Sequence, residues 1–247
     1  WPTINGHTLA QQPLDVIASG AYNQVPFMMG CNSNEGWLFS LAFFPILTER
    51  KYKKVVMENF GDFGNLVLEE YPVSDYGSPF DAMEAVLADA LFVSQVAYIQ
   101  EAVSNGNTIN PIAYFYLFDH TPSYGTNRAG AFHGSELPFV FGFRNGLRHF
   151  TEEEQALSNN MTMFWTNFAH TGNPNPASEL DLWPMYTAQA TTRIVLNTGD
   201  ATYITDYHPS QCTFWKQYYS KYYPNPSPVP FPFVSLDLTE LFPGLEQ

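Results

Sequence analysis

The chain has 247 residues, 45% of them hydrophobic and 17% aromatic, which is ample material for a core and excludes a disordered segment. Only 14% are charged, and 24 acidic against 10 basic residues leave a net charge of −14. That balance repels a phosphate backbone and an anionic bilayer, so nucleic acid is not expected as a partner.

In chain order, Val25-Pro26-Phe27-Met28-Met29-Gly30 is a short apolar run closed by glycine, and it predicts a buried parallel strand. Glu35 follows in the loop at its C-terminal end. Trp37 to Leu47 reads as the most apolar stretch; it is too short to cross a bilayer and ends at Thr48-Glu49-Arg50, so no transmembrane segment is expected. Ser78-Pro79 supplies an N-cap and first turn for a helix reaching about Val103, with Asn105-Gly106 as its stop. Pro111 to Phe118 is a second apolar strand of strong β-formers. Thr151-Glu152-Glu153-Glu154 is a capping box, and Leu157, Met161, Phe164, Trp165 and Phe168 then recur at helical spacing until Thr171-Gly172-Asn173-Pro174. Thr192 to Leu196 is a third strand, and Pro224 to Pro232 a proline-rich extended strap. The reading divides the chain into a domain over 1–223 and a strap over 224–247.

Strand–helix alternation of this kind implies an α/β architecture, a parallel sheet covered on both faces. Three buried strands are few for such a sheet, and half a parallel sheet leaves a long apolar edge. The expectation is therefore a chain that is not stable alone and stays docked against the N-terminal part of its own precursor.

The chemistry is carried by two turns, Asn34-Glu35-Gly36 and His133-Gly134-Ser135-Glu136. A glutamate and then a histidine, each in a turn after an apolar run, form the second half of a Ser–Glu–His relay, in which the carboxylate orients the imidazole that moves the serine proton. Gly-x-Ser-x-Gly, the turn that presents such a serine, occurs nowhere in the 247 residues. With the chain order Ser, acid, His, the serine is expected before Trp1, on a separate N-terminal chain of the same precursor. For each residue there is a plainer reading. Glu35 taken alone is a loop carboxylate at a strand end, and His133 is one of six histidines, of which His7, His120, His149, His170 and His208 are the others. His120, after Phe118-Asp119, reads as structural. No His-Glu-x-x-His or Cys-x-x-Cys spacing points to a metal, and no metal or organic cofactor is expected. Trp37, Leu38 and Phe39 are equally compatible with core packing and with a substrate-pocket wall. Asn160-Met161-Thr162 is a glycosylation sequon and favours an extracellular location.

Several segments in register resemble one family. Gly30 to Phe39, the His133 turn with Phe139-Val140-Phe141-Gly142, Phe164-Trp165-Thr166-Asn167-Phe168-Ala169 running into Thr171 to Pro176, Trp1 to Gly6, and Cys212-Thr213-Phe214-Trp215 are similar to segments of the type-B carboxylesterase/lipase family, which includes the cholinesterases. The resemblance implies the C-terminal half of an α/β-hydrolase fold and a serine-dependent carboxylic ester hydrolase acting on a small-molecule or lipid ester. It implies Glu35 and His133 as acid and base, and Glu136, matching a family glutamate, as a carboxylate that braces the turn or tunes the histidine. The alternative is an inactive relative used for adhesion or storage. There are departures: Ser94 or a neighbour stands where cholinesterases place the cysteine that pairs with the Cys212 position, which implies that this disulfide is missing, and Leu38 falls where they carry a gorge aromatic.

Overall fold

The computed structural model describes residues 4–104, 112–124, 126–143 and 150–222. The 224–247 strap, the Asn105-Gly106 stop, Pro111, His149 and the first three residues of the Trp1–Gly6 segment lie outside them.

Helix α1 (Pro13–Ala18) leads into strand β1 (Phe27–Asn32), followed by α2 (Trp37–Phe43), α3 (Glu49–Phe60), α4 (Gly64–Glu70) and α5 (Val73–Tyr76). Next come α6 (Pro79–Ala88), a π-turn at Asp89–Val93, α7 (Ser94–Ser104), β2 (Ala113–Phe118), α8 (Leu137–Phe141) and α9 (Glu152–Thr171). Strands β3 (Arg193–Leu196) and β4 (Thr202–Ile204) precede the last described helix, α10 (Pro209–Tyr222). The sheet order is β1-β2-β3-β4. The first three strands are parallel and β4 is antiparallel to β3, so the sheet is mixed, with one more strand than the sequence suggested. Thr202-Tyr203-Ile204 escapes a hydrophobic-run criterion because, as an edge strand, it is largely exposed.

The first strand begins two residues later than its apolar run and continues through Cys31 and Asn32. Pro26 has no N–H for the ladder, and Gly30 is not a terminator. Gly30 lies where β1 crosses close to β2: a Cβ there would sit 2.4 Å from the Tyr116 ring. Both helix caps read from the sequence are present. Thr151 and Glu154 bond reciprocally across the start of α9, and the Ser78 hydroxyl takes the Asp81 amide at the start of α6. The helix expected from Ser78 to Val103 does run that far, interrupted by the π-turn.

Alternation along β2 divides the core between the two sheet faces. Tyr114 and Phe118 join Ile194, Leu196, Met161, Phe164 and Trp183 on one face. Ala113, Phe115 and Leu117 join Cys31, Val93, Val96 and Tyr186 on the other. A third cluster under α3 to α6 is built on Tyr52, Tyr71, Met83 and Trp215. Trp183 is fully buried and donates its indole N–H to the Phe115 carbonyl at 3.1 Å, so its area and its polar edge are both satisfied. The longest apolar helical run is Pro79–Val103 rather than Trp37–Leu47; its 25 residues are long and apolar enough to cross a membrane by length and composition alone. In the fold it lies largely inside, with Ala82, Met83, Val86, Leu87, Ala90 and Val93 all buried and the carboxylate of Asp89 at its middle.

Candidate active site

The C-terminal ends of β1 and β2 hold the loops that carry the two motifs. At the end of β1 the chain turns sharply: the Asn32 amide N–H donates to Glu35 Oε1 at 2.8 Å, and the Trp37 N–H donates to the Asn34 carbonyl at 3.1 Å to start α2. Gly36 is required because its Cα faces α6; a Cβ there would lie 2.0 Å from the Glu84 carbonyl oxygen. The two motif loops are zipped together by a short parallel bridge between Asn34 and Phe132. The Asn34 side chain accepts from the Ala131 N–H at 3.2 Å and donates to Glu84 Oε1 at 3.1 Å. Burial pushes the Glu84 carboxyl above the ordinary glutamate range, against the Asn34 bond that draws it down.

This scaffold brings together the two residues expected to carry the chemistry. His133 Nδ1 lies 2.6 Å from Glu35 Oε2. The Glu35 side chain is 7% exposed and that of His133 44%. With one carboxylate oxygen holding the Asn32 amide and the other the imidazole, Glu35 is fixed in place and selects the tautomer with hydrogen on Nδ1. The lone pair of Nε2 is then the accessible one, and among the described residues nothing bonds to it. The Glu35 bond raises the His133 pKa above its ordinary value, burial works against it, and the charges of Glu35 and Glu136 add to the rise.

Among the described residues Glu136 makes no hydrogen bond to the imidazole. Its Oε2 accepts from the Asn32 side-chain amide at 2.6 Å, and the same amide donates to the Phe132 carbonyl at 2.9 Å. Glu136 therefore ties the histidine turn to the end of β1 and acts on His133 through its charge. The aromatic segment after the acid splits by helical direction. Phe39 puts its ring 5.2 Å from that of His133. Trp37 turns toward Phe132 at 5.9 Å and, with Leu41, Pro45, Leu47, Pro79, Phe80 and Arg128, lines a cleft of about 290 Å³ that does not include His133. Leu38 is exposed.

Asn32, Asn34, Glu84 and Phe92 were not singled out from the sequence. The two asparagines stand in the Gly30 to Phe39 segment beside Glu35 and were legible in principle. Phe92, whose ring lies 4.9 Å from His133, is remote in sequence and carries no local signal. His120 is bonded on both nitrogens, to Asn197 at 3.1 Å and to Glu154 at 3.0 Å, which leaves it no free lone pair. Cys31 and Cys212 are thiols, and burial pushes them up to about 12 and about 11. Ser94 is buried, with its hydroxyl on the Ala90 carbonyl. Asn160 is exposed on α9, while the Thr162 hydroxyl of the same sequon donates to the Val140 carbonyl at 3.0 Å. Among the described residues no three His, Cys, Asp or Glu side chains are grouped so as to hold a metal ion.

A sequence model of the carboxylesterase family matches residues 1–215, most of the chain. The chain belongs to the carboxylesterase family. Its relatives there include a cocaine esterase of Homo sapiens, 34% identical over 207 residues, and an acylcarnitine hydrolase of Rattus norvegicus, 32% identical over 209 residues. Each alignment covers 74% of this chain and 35% of the relative. A cholinesterase of Mus musculus is 26% identical over 240 residues, 89% of this chain and 39% of its own length. The chain thus spans little more than a third of these carboxylesterase-family proteins, and the mixed sheet with helices on both faces is consistent with the α/β-hydrolase fold.

Proposed function

We propose that this chain supplies the acid and the base of a serine-dependent carboxylic ester hydrolase of the carboxylesterase or lipase type. The observation that carries the reading is the 2.6 Å contact between a buried Glu35 and His133, whose second nitrogen is open to a substrate. In this reading a serine outside the 247 residues attacks the ester carbonyl as its proton passes to His133 Nε2. The same proton then goes to the departing alkoxide, and the alcohol leaves. Water repeats the sequence on the acyl-serine, and the carboxylic acid is released. Glu35 keeps its charge throughout and stabilises the imidazolium. The oxyanion donors belong with the serine, outside this chain.

The relatives named for cocaine, acylcarnitine and choline support an ester substrate of low molecular weight or a lipid ester for this chain. The segment bearing the serine is the proposed partner. Strand β1 ends the sheet among the described residues, and its free edge suits pairing with a further strand. The exposed sequon supports an extracellular location. The test uses the full-length polypeptide that carries this chain, with p-nitrophenyl butyrate as probe. Ester turnover and stoichiometric labelling of one serine by a fluorophosphonate are expected, and His133→Ala should abolish both. Turnover that survives His133→Ala would overturn the assignment. A protein that binds partners but neither turns over esters nor takes the label would be the inactive adhesion or storage relative.

A further inference from the structure

The junction between α6 and α7 is not regular. Asp89–Val93 form a π-turn, a feature that costs helical hydrogen-bond geometry and tends to persist where it sets a side chain in a particular direction. In an α-helix, residues three apart share a face. The wider π-turn separates Asp89 from Phe92, so that the two serve different surroundings. Asp89 turns inward and is 1% exposed; its oxygens accept from the Tyr71 hydroxyl at 2.9 Å and from His208 Nδ1 at 2.7 Å. The Tyr71 hydroxyl in turn accepts from the Trp215 indole at 2.7 Å. His208 holds its place at φ +51, a conformation that non-glycine residues keep only when their surroundings impose it.

Phe92 turns the other way, toward the histidine of the proposed relay. Its ring lies 4.9 Å from that of His133 and 5.7 Å from that of Phe39, so the three rings touch one another in a triangle. The bond to Glu35 holds the imidazole at one point, Nδ1, and a ring held at one point can still swing its far nitrogen. Nε2 must meet a serine oxygen within hydrogen-bond reach, and displacement of about 1 Å can cost a hundredfold in rate.

We propose that Phe92 is a positioning residue for His133: with Phe39 it fixes the plane of the imidazole, and the π-turn that presents it is held in register by the bonds of Asp89 to Tyr71 and His208. This rests on the ester-hydrolase reading for its consequence and on the three-ring geometry for its substance. It assigns to a residue far from both motifs a role separate from lining a pocket.

The test compares Phe92→Ala, Phe92→Leu and Phe92→Tyr in the full-length polypeptide, with p-nitrophenyl butyrate turnover and the NMR titration of His133 as readouts. Phe92→Ala is expected to lower kcat roughly tenfold while KM stays within about twofold, because the ring acts on orientation rather than on substrate affinity. The titration and the acidic limb of kcat/KM should move to higher pH. Loss of the ring admits water and removes the burial that opposes protonation, while the charged groups facing the imidazole, Glu35 and Glu136, remain. Phe92→Tyr should restore both readouts, and Asp89→Asn should shift them in the same direction as Phe92→Ala by a smaller amount. An unchanged kcat and titration in Phe92→Ala, or a loss confined to KM, would overturn the proposal. Where Phe92→Ala fails to fold, Phe92→Leu decides: wild-type values with an aliphatic side chain overturn ring positioning, and a lowered kcat with a shifted titration supports it. If the wild-type polypeptide turns over no ester, the hydrolase reading fails, and the His133 titration in the same variants still supports or overturns positioning by Phe92.

Discussion

His133–Glu35 and His120–Glu154 are built from the same two side chains at similar separations, 2.6 and 3.0 Å, yet their surroundings give them different capacities. His120 is 12% exposed and has both nitrogens occupied. Glu154 is a hub that also takes the Ser123 amide and hydroxyl, each at 2.6 Å, and the Thr151 amide at 2.9 Å. Burial opposes its ionisation, but the bonds from His120, Ser123 and Thr151 outweigh burial and bring its pKa down to about 2. Both nitrogens of His120 and both oxygens of Glu154 are engaged, and they tie the loop after β2 to the cap of α9 and to Asn197 at the end of β3. His133 has one nitrogen engaged and one open, and its carboxylate spends its other oxygen on the turn that positions it. A histidine–carboxylate contact is therefore not by itself a catalytic signature, and His208, 41% exposed and paired through Nδ1 with the buried Asp89, shows that a half-exposed imidazole on a buried carboxylate occurs away from the two motif turns as well.

The two pairs can be set against each other by the same substitution in each carboxylate. In the full-length polypeptide Glu35→Gln should lower kcat about 10⁴-fold, because an amide in place of the carboxylate loses control of the imidazole tautomer. Glu154→Gln should leave kcat within about threefold. The opposite order, measured as turnover per fluorophosphonate-titrated site, would reverse the roles assigned here.

Stability should respond the other way round. Glu154→Gln is expected to cost about 3 kcal/mol at neutral pH by urea denaturation, since it breaks charge-assisted bonds at a buried hub. A carboxylate with a lowered folded pKa contributes stability that is fully present above its unfolded value of about 4.3 and is lost as the pH falls toward the folded value. The difference between wild type and Glu154→Gln should accordingly shrink between about pH 4.3 and 2. A penalty independent of pH across that window would show that Glu154 acts by shape rather than by charge.

The third contrast is in pH dependence. Because the Glu35 bond raises the His133 pKa, and the proposed relay needs the imidazole neutral, kcat/KM should fall on acidification through a value above the ordinary 6.5. In stability the sign is opposite to that of Glu154: the paired imidazolium contributes fully below 6.5, and this contribution is lost as the pH rises through the raised folded value. An acidic limb that does not move to lower pH in Glu35→Gln would place control of activity elsewhere. The smallest effect belongs to Glu136→Gln. It keeps an acceptor for the Asn32 amide but removes a charge, so kcat should stay within about threefold while the acidic limb moves to lower pH. No movement of the limb would reduce Glu136 to a brace for the turn.

The sequence alone determined those features that depend on near neighbours in the chain. The Thr151 capping box, the Ser78-Pro79 helix start and the three parallel strands follow from local propensity and apolar runs, and they lie where the sequence put them to within about two residues. Glu35 and His133, the proposed acid and base, were legible because each sits in a turn directly after a strand or loop with its own signature. Tertiary structure alone decided the rest. Thr202–Ile204 becomes a strand because β3 offers it an edge, and at three residues it is too short to stand out beforehand as an apolar run. The cleft beside Trp37 and the contact of Phe39 with His133 depend on which way each side chain leaves α2. That His120 is engaged on both nitrogens was not visible beforehand, because the closing groups, Glu154 and Asn197, come from distant parts of the chain. Phe92 reaches His133 from a π-turn whose Asp89 is bonded to Tyr71 and His208, groups well before and far after it in sequence. Local rules act over a few residues along the backbone, whereas orientation, burial and an open lone pair are set by groups that meet only when the chain has folded.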